Sequence, residues 1–220
     1  MATTVADLPP DAASPSTGKS ERIDGRHLRS ERTKRLIIEA YLALVRESSP
    51  RVPTAAEIAD RAGYSVRSVF ERFPDLQALR VAATDLAITE AKANYTPRDL
   101  DADRATRLRK QVEIRGRGCD QWLPMWRVLN ANSAGSSELQ DRIRLTRSLV
   151  LKRIEMVFQP ELSTLSEADR SRTIFAIEAL TDFESWARMR EFFGLSFDEA
   201  CAVWVRAIDR LLPPTPDNAS

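Results

Sequence analysis

Histidine and cysteine are nearly absent from this chain. In 220 residues the only histidine is His27, and the two cysteines, Cys119 and Cys201, lack the spacing of a metal site or a redox pair. The sequence also has no glycine-rich phosphate loop and no motif that would set a nucleophile beside a base. Because these features carry most catalytic and metal chemistry, we expect no enzymatic activity, no metal site and no cofactor.

Long apolar runs are lacking as well. No stretch approaches the roughly 18 consecutive apolar residues of a membrane-spanning helix. The first residues, MATTVADLPPDAASPSTGKS, do not place a basic region before an apolar one, as a secretory signal would. We therefore expect a cytoplasmic protein with no membrane partner.

Strand-like alternation is also missing, whereas apolar residues recur at helical spacing almost throughout. Capping residues, glycines and prolines mark the ends, so we predict helices at about 30–48, 54–63, 65–73, 75–92, 103–117, 121–133, 138–158, 166–193 and 196–212. The chain is thus predicted to be all-α, with a three-helix module at 29–76 and a larger helical domain at 77–213. The terminal segments 1–28 and 214–220 are predicted to be disordered.

Residues 54–73 have the pattern of two short helices joined by a tight turn. Thr54 and Glu57 form a T-x-x-E capping box, which is a specific start signal for a helix. Gly63 suits the left-handed conformation that ends a helix, and Ser65 is placed to cap the next one. The pattern predicts a helix-turn-helix, in which the second helix packs across the first.

The second of these short helices is predicted to expose polar side chains. Its apolar spacing predicts a buried face made of Val66, Val69, Phe70 and Phe73. Arg67 and Ser68 then point outward, and an exposed arginine in the first turn can hydrogen-bond a guanine edge in the major groove. Between residues 19 and 80, 13 Lys and Arg against 9 Asp and Glu leave an excess of four positive charges. A hairpin that only packs would show the same apolar spacing.

Two stretches resemble the TetR family of bacterial transcription regulators. TAAEIADRAGYSVRSVFERFPDLQAL, preceded by SERTKRLIIEAYLALV, is similar to the family's three-helix DNA-binding module, and residues 183–212 are similar to its last two helices. The resemblance implies an N-terminal helix-turn-helix domain followed by a helical domain for ligand binding and dimerisation. It also implies the residues that contact DNA, which are Thr54, Ser65, Arg67, Ser68, Phe70 and Arg72.

Three positions depart from the family pattern. Phe70 stands where the family usually has Tyr, Arg72 where it has His, and Leu76 where it has Lys. Because phosphate contacts supply much of the affinity for DNA, we expect binding that is weaker or differently placed. The basic segment 18–35 is either an arm that reaches a minor groove or phosphates, or a flexible lead-in.

The larger domain offers two further expectations. The last helices are apolar on more than one face, which predicts a dimer interface formed by Phe183, Trp186, Phe197, Trp204 and Ile208. The alternative is a monomer that buries both faces itself. A second cluster, around Pro124, predicts a pocket for an apolar or aromatic effector lined by Trp122, Met125, Trp126 and Leu129. Plain core is the alternative at each of these positions.

Together these features predict a dimeric DNA-binding regulator with a double-stranded operator as its partner. Two recognition helices would read a near-palindromic site, and a small-molecule effector would release the protein from it. Repression is the usual behaviour implied by the resemblance. The alternative is a helical ligand-binding or scaffolding protein that has lost sequence-specific DNA binding.

Overall fold

The computed structural model describes residues 18–94 and 99–216, and only the backbone for residues 18–26 and residue 94. Within these ranges the chain forms helices and no strand, which confirms the predicted all-α class. The helices are α1 (Gly18–Ser48), α2 (Ala55–Ala62), α3 (Val66–Arg72), α4 (Leu76–Asn94), α5 (Arg104–Ala131), α6 (Ser137–Val157), α7 (Gln159–Leu162), α8 (Glu167–Leu180), α9 (Phe183–Ala187) and α10 (Phe197–Leu211). A π-helical turn, Arg188–Phe192, continues α9.

Helix bounds differ from the prediction in three places. Helix α1 begins at Gly18, so residues 18–28 of the predicted disordered arm are helical, while residues 1–17 and 217–220 lie outside the described residues. The two helices predicted on either side of residue 120 are one helix, α5, which continues through Pro124. Conversely, the helix predicted at 166–193 ends at Leu180, because the side chain of Asp182 caps a new helix by accepting from the Ser185 N–H.

The N-terminal module, α1 to α3, packs around one cluster of buried apolar side chains. Helix α4 completes this cluster with Leu79 and Ala83, both fully buried. The other members come from α1, α2 and the end of α3, and they include Ile37, Tyr41, Val45, Ile58, Val69 and Phe73. Helix α4 therefore belongs to the module at its start and leads into the larger domain at its end.

The predicted buried face of α3 is only half right. Val69 and Phe73 are buried, whereas Val66 and Phe70 are 40% and 45% exposed. Helix α3 packs on the module through one row of side chains, the pair spaced by four. Phe70 consequently lies on the outer surface beside the polar residues of α3.

The larger domain is centred on two tryptophans. Trp186 and Trp204 are fully buried, with ring centroids 4.8 Å apart, and the edge of Phe197 packs on Trp186 at 5.5 Å. Helix α5 comes close enough to α9 for a Cβ built on Gly116 to lie 2.7 Å from the Trp186 ring. The center of this domain is therefore tightly packed where α5, α9 and α10 meet.

This packing corrects the predicted dimer interface. Phe183, Trp186, Trp204 and Ile208 are buried within the chain itself, and Phe197 is half-buried against Trp186. They offer little or no surface to a second subunit, because the most apolar stripe of each helix packs inward. The exposed apolar residues of this domain are different ones, and they include Phe175, Phe192, Phe193, Val203 and Leu211.

No helix in residues 18–94 and 99–216 has both the length and the apolar character to cross a bilayer. No group of three or more His, Cys, Asp or Glu side chains in the same residues is arranged to hold a metal ion.

Candidate DNA-binding surface and ligand cavity

The turn between α2 and α3 fixes the helix-turn-helix geometry. Gly63 has φ of +72°, in the left-handed region, and its N–H donates to the last carbonyls of α2. The Tyr64 N–H donates to the Ala59 carbonyl at 2.9 Å. Ala59 and Val69 are both buried, so the small side chain on α2 lets α3 approach closely. The turn thus directs the outer face of α3 away from the module.

The start of α2 is held by a complete capping box. The Thr54 Oγ1 accepts from the Glu57 N–H, and Glu57 accepts from the Thr54 N–H at 2.8 Å. Arg51 adds a two-point ion pair to the Glu57 carboxylate. Because Arg51 and Thr54 donate to it, the pKa of Glu57 is lowered from 4.5 to about 2. Thr54 is therefore fixed at the exposed tip of α2, where the resemblance places a phosphate contact.

The exposed edge of α3 begins with serine and arginine side chains. Ser65 caps α3 by accepting from the Ser68 N–H, and the two hydroxyl oxygens lie 2.9 Å apart. The Arg67 side chain is 87% exposed, and its only ion pair among the described residues is with Glu71, its neighbour one turn along. Surface pairs of this kind contribute little free energy, so Arg67 can exchange Glu71 for another partner. Ser65, Arg67, Ser68 and Phe70 thus lie on one accessible edge.

The remaining departures from the family pattern have structural roles. Arg72 is half-buried, and its Nε is buried without an acceptor among the described residues, so this side chain is less accessible than Arg67. Leu76 is half-buried and packs on the apolar cluster of the module. Asp75 caps α4 by accepting from the Ala78 N–H at 2.7 Å. The loss of a lysine at residue 76 thus accompanies a gain in packing.

A cavity of about 420 Å³ lies between α4, α5, α6 and the first residue of α9. All four residues predicted for the effector pocket, Trp122, Met125, Trp126 and Leu129, line it. Trp126 stacks on Phe183 at 4.8 Å, which closes one wall. Most of the remaining lining is apolar, and it comes from Ala87, Ile88, Ala91, Ile114, Leu149, Val150 and Met156. The volume lies within the range of small-molecule sites.

Positive side chains on the cavity wall were not predicted. Lys92, Arg115, Lys152 and Arg153 all line the cavity, and its lining among the described residues includes no Asp or Glu. A signal was present, because Arg115 lies seven residues before Trp122 and so shares its face of α5. This position alone did not predict a cavity, since a single arginine beside an apolar stripe is also found at the solvated edge of a helix.

Two contacts connect the cavity wall to the helix-turn-helix module. At the end of α1, the Arg46 guanidinium lies 5.8 Å from the centre of the Trp122 ring. Just beyond it, the Ser49 hydroxyl donates to the Pro124 carbonyl at 3.0 Å. Helix α4 is a third connection, since Leu79 packs in the module and Ala87 lines the cavity. A change of packing in the cavity would therefore act on both helices that support α2 and α3.

Comparison with solved structures identifies the arrangement of these helices. The chain is similar to a TetR-family transcriptional regulator from Streptomyces coelicolor, with a TM-score of 0.68 and 18% identity over 82% of this chain and 80% of that one. It is also similar to a transcriptional regulator from Rhodococcus sp. Rha1, with a TM-score of 0.67 and 15% identity over 83% and 99% of the two chains. The fold is that of TetR-family regulators. No protein-family model and no curated protein matches the sequence.

The TetR-like fold extends over both parts of the chain. The similarity covers more than four fifths of the sequence, so it includes the helix-turn-helix and most of the larger domain together. The order predicted from sequence, with a helix-turn-helix module followed by a helical domain, is the order found in this fold. At these identities the likeness concerns the path of the backbone, and the functional residues are argued from this chain alone.

Proposed function

We propose that this protein is a homodimeric, ligand-responsive transcription regulator that binds a near-palindromic operator as a repressor. One observation carries the proposal: the exposed edge of α3, led by the 87% exposed Arg67, lies on a helix-turn-helix within a TetR-like fold. Arginine in the first turn of such a helix can donate two hydrogen bonds to guanine. Thr54 and Ser65 at the flanking helix starts are suited to phosphate contacts.

The second subunit is proposed to pack on α8 and α10. These helices contact each other, and the exposed apolar residues of their outer surface are Phe175, Ala176, Ala179, Ala202, Val203 and Leu211, with charged residues such as Arg206 and Arg210 between and beside them. The alanines allow close approach of two helix pairs, and a twofold axis would bring the same face of each chain together. Two α3 helices would then lie about 34 Å apart, or a multiple of it, which matches successive turns of DNA.

The cavity is proposed to control the separation of the two α3 helices. A ligand that binds one conformer more tightly shifts the population toward that conformer, and it cannot act otherwise. Helix α4 and the contacts of Arg46 and Ser49 with α5 provide a physical connection from the cavity to the module. The occupied cavity is expected to favour the conformer whose recognition helices are wrongly spaced for DNA.

Selection from random-sequence DNA tests for sequence-specific DNA binding. The purified protein is incubated with a library of duplexes at moderate salt, and the retained molecules are sequenced. We expect an enriched inverted repeat whose half-sites are about one helical turn apart. A folded protein that enriches no sequence and shows no salt-dependent binding would instead be a helical ligand-binding or scaffolding protein.

The Arg67→Ala variant then tests whether α3 makes the base-specific contacts. Loss of one two-point contact should cost about 1–3 kcal/mol of discrimination at the contacted base pair. Arg117→Ala is the matched control, since Arg117 is also exposed and pairs with a glutamate one turn away on α5. Operator titrations of both variants measure the effect. Equal losses in the two variants, or none in either, would refute the assignment.

A further inference from the structure

The walls of the cavity carry charge of one sign only. Four of its lining residues are cationic, Lys92, Arg115, Lys152 and Arg153, and no acidic residue contributes to the lining within the described residues. The rest of the wall is aromatic or aliphatic apart from two threonines, whose hydroxyls donate to carbonyls of their own helices. A ligand that fills the cavity meets positive charge beside a large apolar surface.

Arg115 is held in place on α5 but is not neutralised. Its Nε donates to the Thr181 carbonyl at 2.8 Å, and its guanidinium lies 4.9 Å from the centre of the Phe183 ring. Neither partner is a carboxylate, and the terminal nitrogens form no hydrogen bond with other described residues. The guanidinium is therefore oriented by the protein while its charge has no counter-ion there.

Arg153 on α6 is likewise held by a neutral hydrogen-bond acceptor. Its Nε donates to Gln111 Oε1 at 2.6 Å, which is a neutral partner. Burial, together with the nearby charge of Arg115, lowers the pKa of Arg153 to about 10. The side chain remains charged at neutral pH, so two cations close to each other lie in a partly desolvated place without a compensating carboxylate.

Trp122 supplies a third unmatched donor. The residue is only 7% exposed, lines the cavity, and has a buried indole Nε1 without an acceptor among the described residues. A buried N–H without an acceptor is costly, and a ligand oxygen would relieve that cost. All the unsatisfied groups of the cavity wall are therefore donors or cations, and each is complementary to an anionic acceptor.

We propose that the effector is an amphipathic organic acid, bound with its carboxylate between Arg115 and Arg153 and its apolar body against Trp122, Trp126 and Leu129. The planar forks of two guanidiniums match the two oxygens of a carboxylate. The same charges exclude organic cations from the cavity. This inference rests on the proposed function only in calling the ligand an effector, since the site itself is defined by the cavity.

Calorimetric titration of the full-length protein with matched probes tests the charge preference. Octanoate is compared with octanol and octyltrimethylammonium, and naphthoate with its neutral amide. We expect at least one of the two anions to bind about tenfold or more tightly than its neutral counterpart, since hydrogen bonds to charged groups are the stronger ones. Equal or tighter binding of the neutral or cationic probes, or no binding of either anion, would overturn the proposal.

The Arg153→Met variant locates the carboxylate. It removes the charge while keeping an apolar chain, and it should weaken binding of the preferred anion by about tenfold or more and leave the neutral probe nearly unchanged. Arg144→Met is the matched control, because Arg144 lies on the same helix outside the cavity and is 65% exposed. If affinity for the anion and for the neutral probe fell by similar factors, the substitution would only have disturbed packing, and this would count against the inference. Full retention of anion affinity would count against it as well.

These measurements need no DNA, which separates the inference from the proposed function. Charge-selective binding that leaves affinity for a selected operator unchanged would keep the ligand class and refute ligand-released repression. Sequence-specific operator binding by a protein that binds none of the anions would refute the ligand class and leave the proposed DNA-binding function standing.

Discussion

At the scale of single residues, Gly116 sets the distance between α5 and α9. A methyl group at this position would lie 2.7 Å from the Trp186 ring and 3.2 Å from Phe197. Trp186 is fully buried, packs on Trp204, and donates from Nε1 to Asp120, so its ring is held in place from more than one side. Glycine is required here by the close approach of the two helices.

We therefore expect Gly116→Ala to destabilise the protein. Because the clash is with a buried ring, the overpacking cost should lie in the upper part of the usual range, about 2–3 kcal/mol. The better helix propensity of alanine returns about 1 kcal/mol, so the net loss should be about 1–2 kcal/mol. Urea unfolding measures it. Gly135→Ala is the control, because its Cβ would meet nothing within 4 Å. A Gly116→Ala protein as stable as the parent would show that α5 and α9 can separate freely.

At the scale of an element, the capping box makes the stability of α2 depend on pH. The pKa of Glu57 is lowered from 4.5 to about 2 in the folded protein, chiefly because Arg51 and Thr54 donate to its carboxylate. A folded-state pKa below the ordinary value contributes stability above that value, and this contribution is lost as pH falls from 4.5 toward about 2. The start of the helix that supports α3 is thus sensitive to acid.

Glu57→Gln should remove this pH dependence. Glutamine keeps an acceptor for the Thr54 N–H but loses the charge that pairs with Arg51, so the variant should unfold at a lower temperature than the parent at neutral pH. The gap between the two unfolding temperatures should shrink as the pH approaches 2, where about half of the parent's Glu57 carboxyl groups are protonated and uncharged. Thermal unfolding followed by circular dichroism from pH 7 to pH 2 measures the gap. A gap that is constant with pH would contradict the role of the charge.

Helix α5 shows how one element serves several purposes. Its early part carries Arg115 into the cavity, Gly116 makes room for Trp186, and the Pro124 carbonyl accepts a hydrogen bond from Ser49 at the end of α1. Proline removes one backbone donor from the helix interior, yet α5 continues because the residues on both sides of it, Leu123 and Met125, are buried. Tertiary packing thus outweighs the local preference for a break.

At the scale of the whole molecule, the proposed function depends on which surface would join two chains. The face of α8 and α10 proposed for this contact includes Leu211, which is 41% exposed. Leu145 on α6 is 40% exposed and lies outside that face, so the two leucines form a matched pair. A charge introduced at a true interface must lose its hydration without a partner, whereas the same charge on a free surface stays hydrated.

Leu211→Arg should therefore weaken the dimer by about tenfold or more, and Leu145→Arg should not. Sedimentation of both variants over a range of protein concentrations measures the dissociation constant of the dimer. The monomeric form of Leu211→Arg should also lose most operator affinity, because one α3 contacts only a half-site. Equal dimerisation of the two variants would place the subunit contact on another surface.

The sequence alone determined the features that depend on neighbouring residues. Helical periodicity, the capping box of Thr54 and Glu57, and the turn at Gly63 are recorded within a few positions of one another, and each was predicted where the structure has it. Trp122, Met125, Trp126 and Leu129, which the sequence grouped around Pro124, all line one cavity, because they lie close together on one helix; their binding of an effector stays a prediction. Such features follow from steric and hydrogen-bonding rules that act over one or two turns.

Only the tertiary structure decided which apolar stripe faces inward and what converges on the cavity. Trp204 and Leu211 lie on the same helix, and Trp204 is buried whereas Leu211 is exposed. Both are large apolar residues, so the local sequence pattern does not distinguish their burial. Phe70 was predicted to be buried and is on the surface, because α3 packs on the module through the row of Val69 and Phe73 instead. Arg115 and Arg153 are far apart along the chain, and the packing of α5 against α6 brings them to one site. Burial and charge pairing are properties of contacts between distant residues, and no local pattern specifies them.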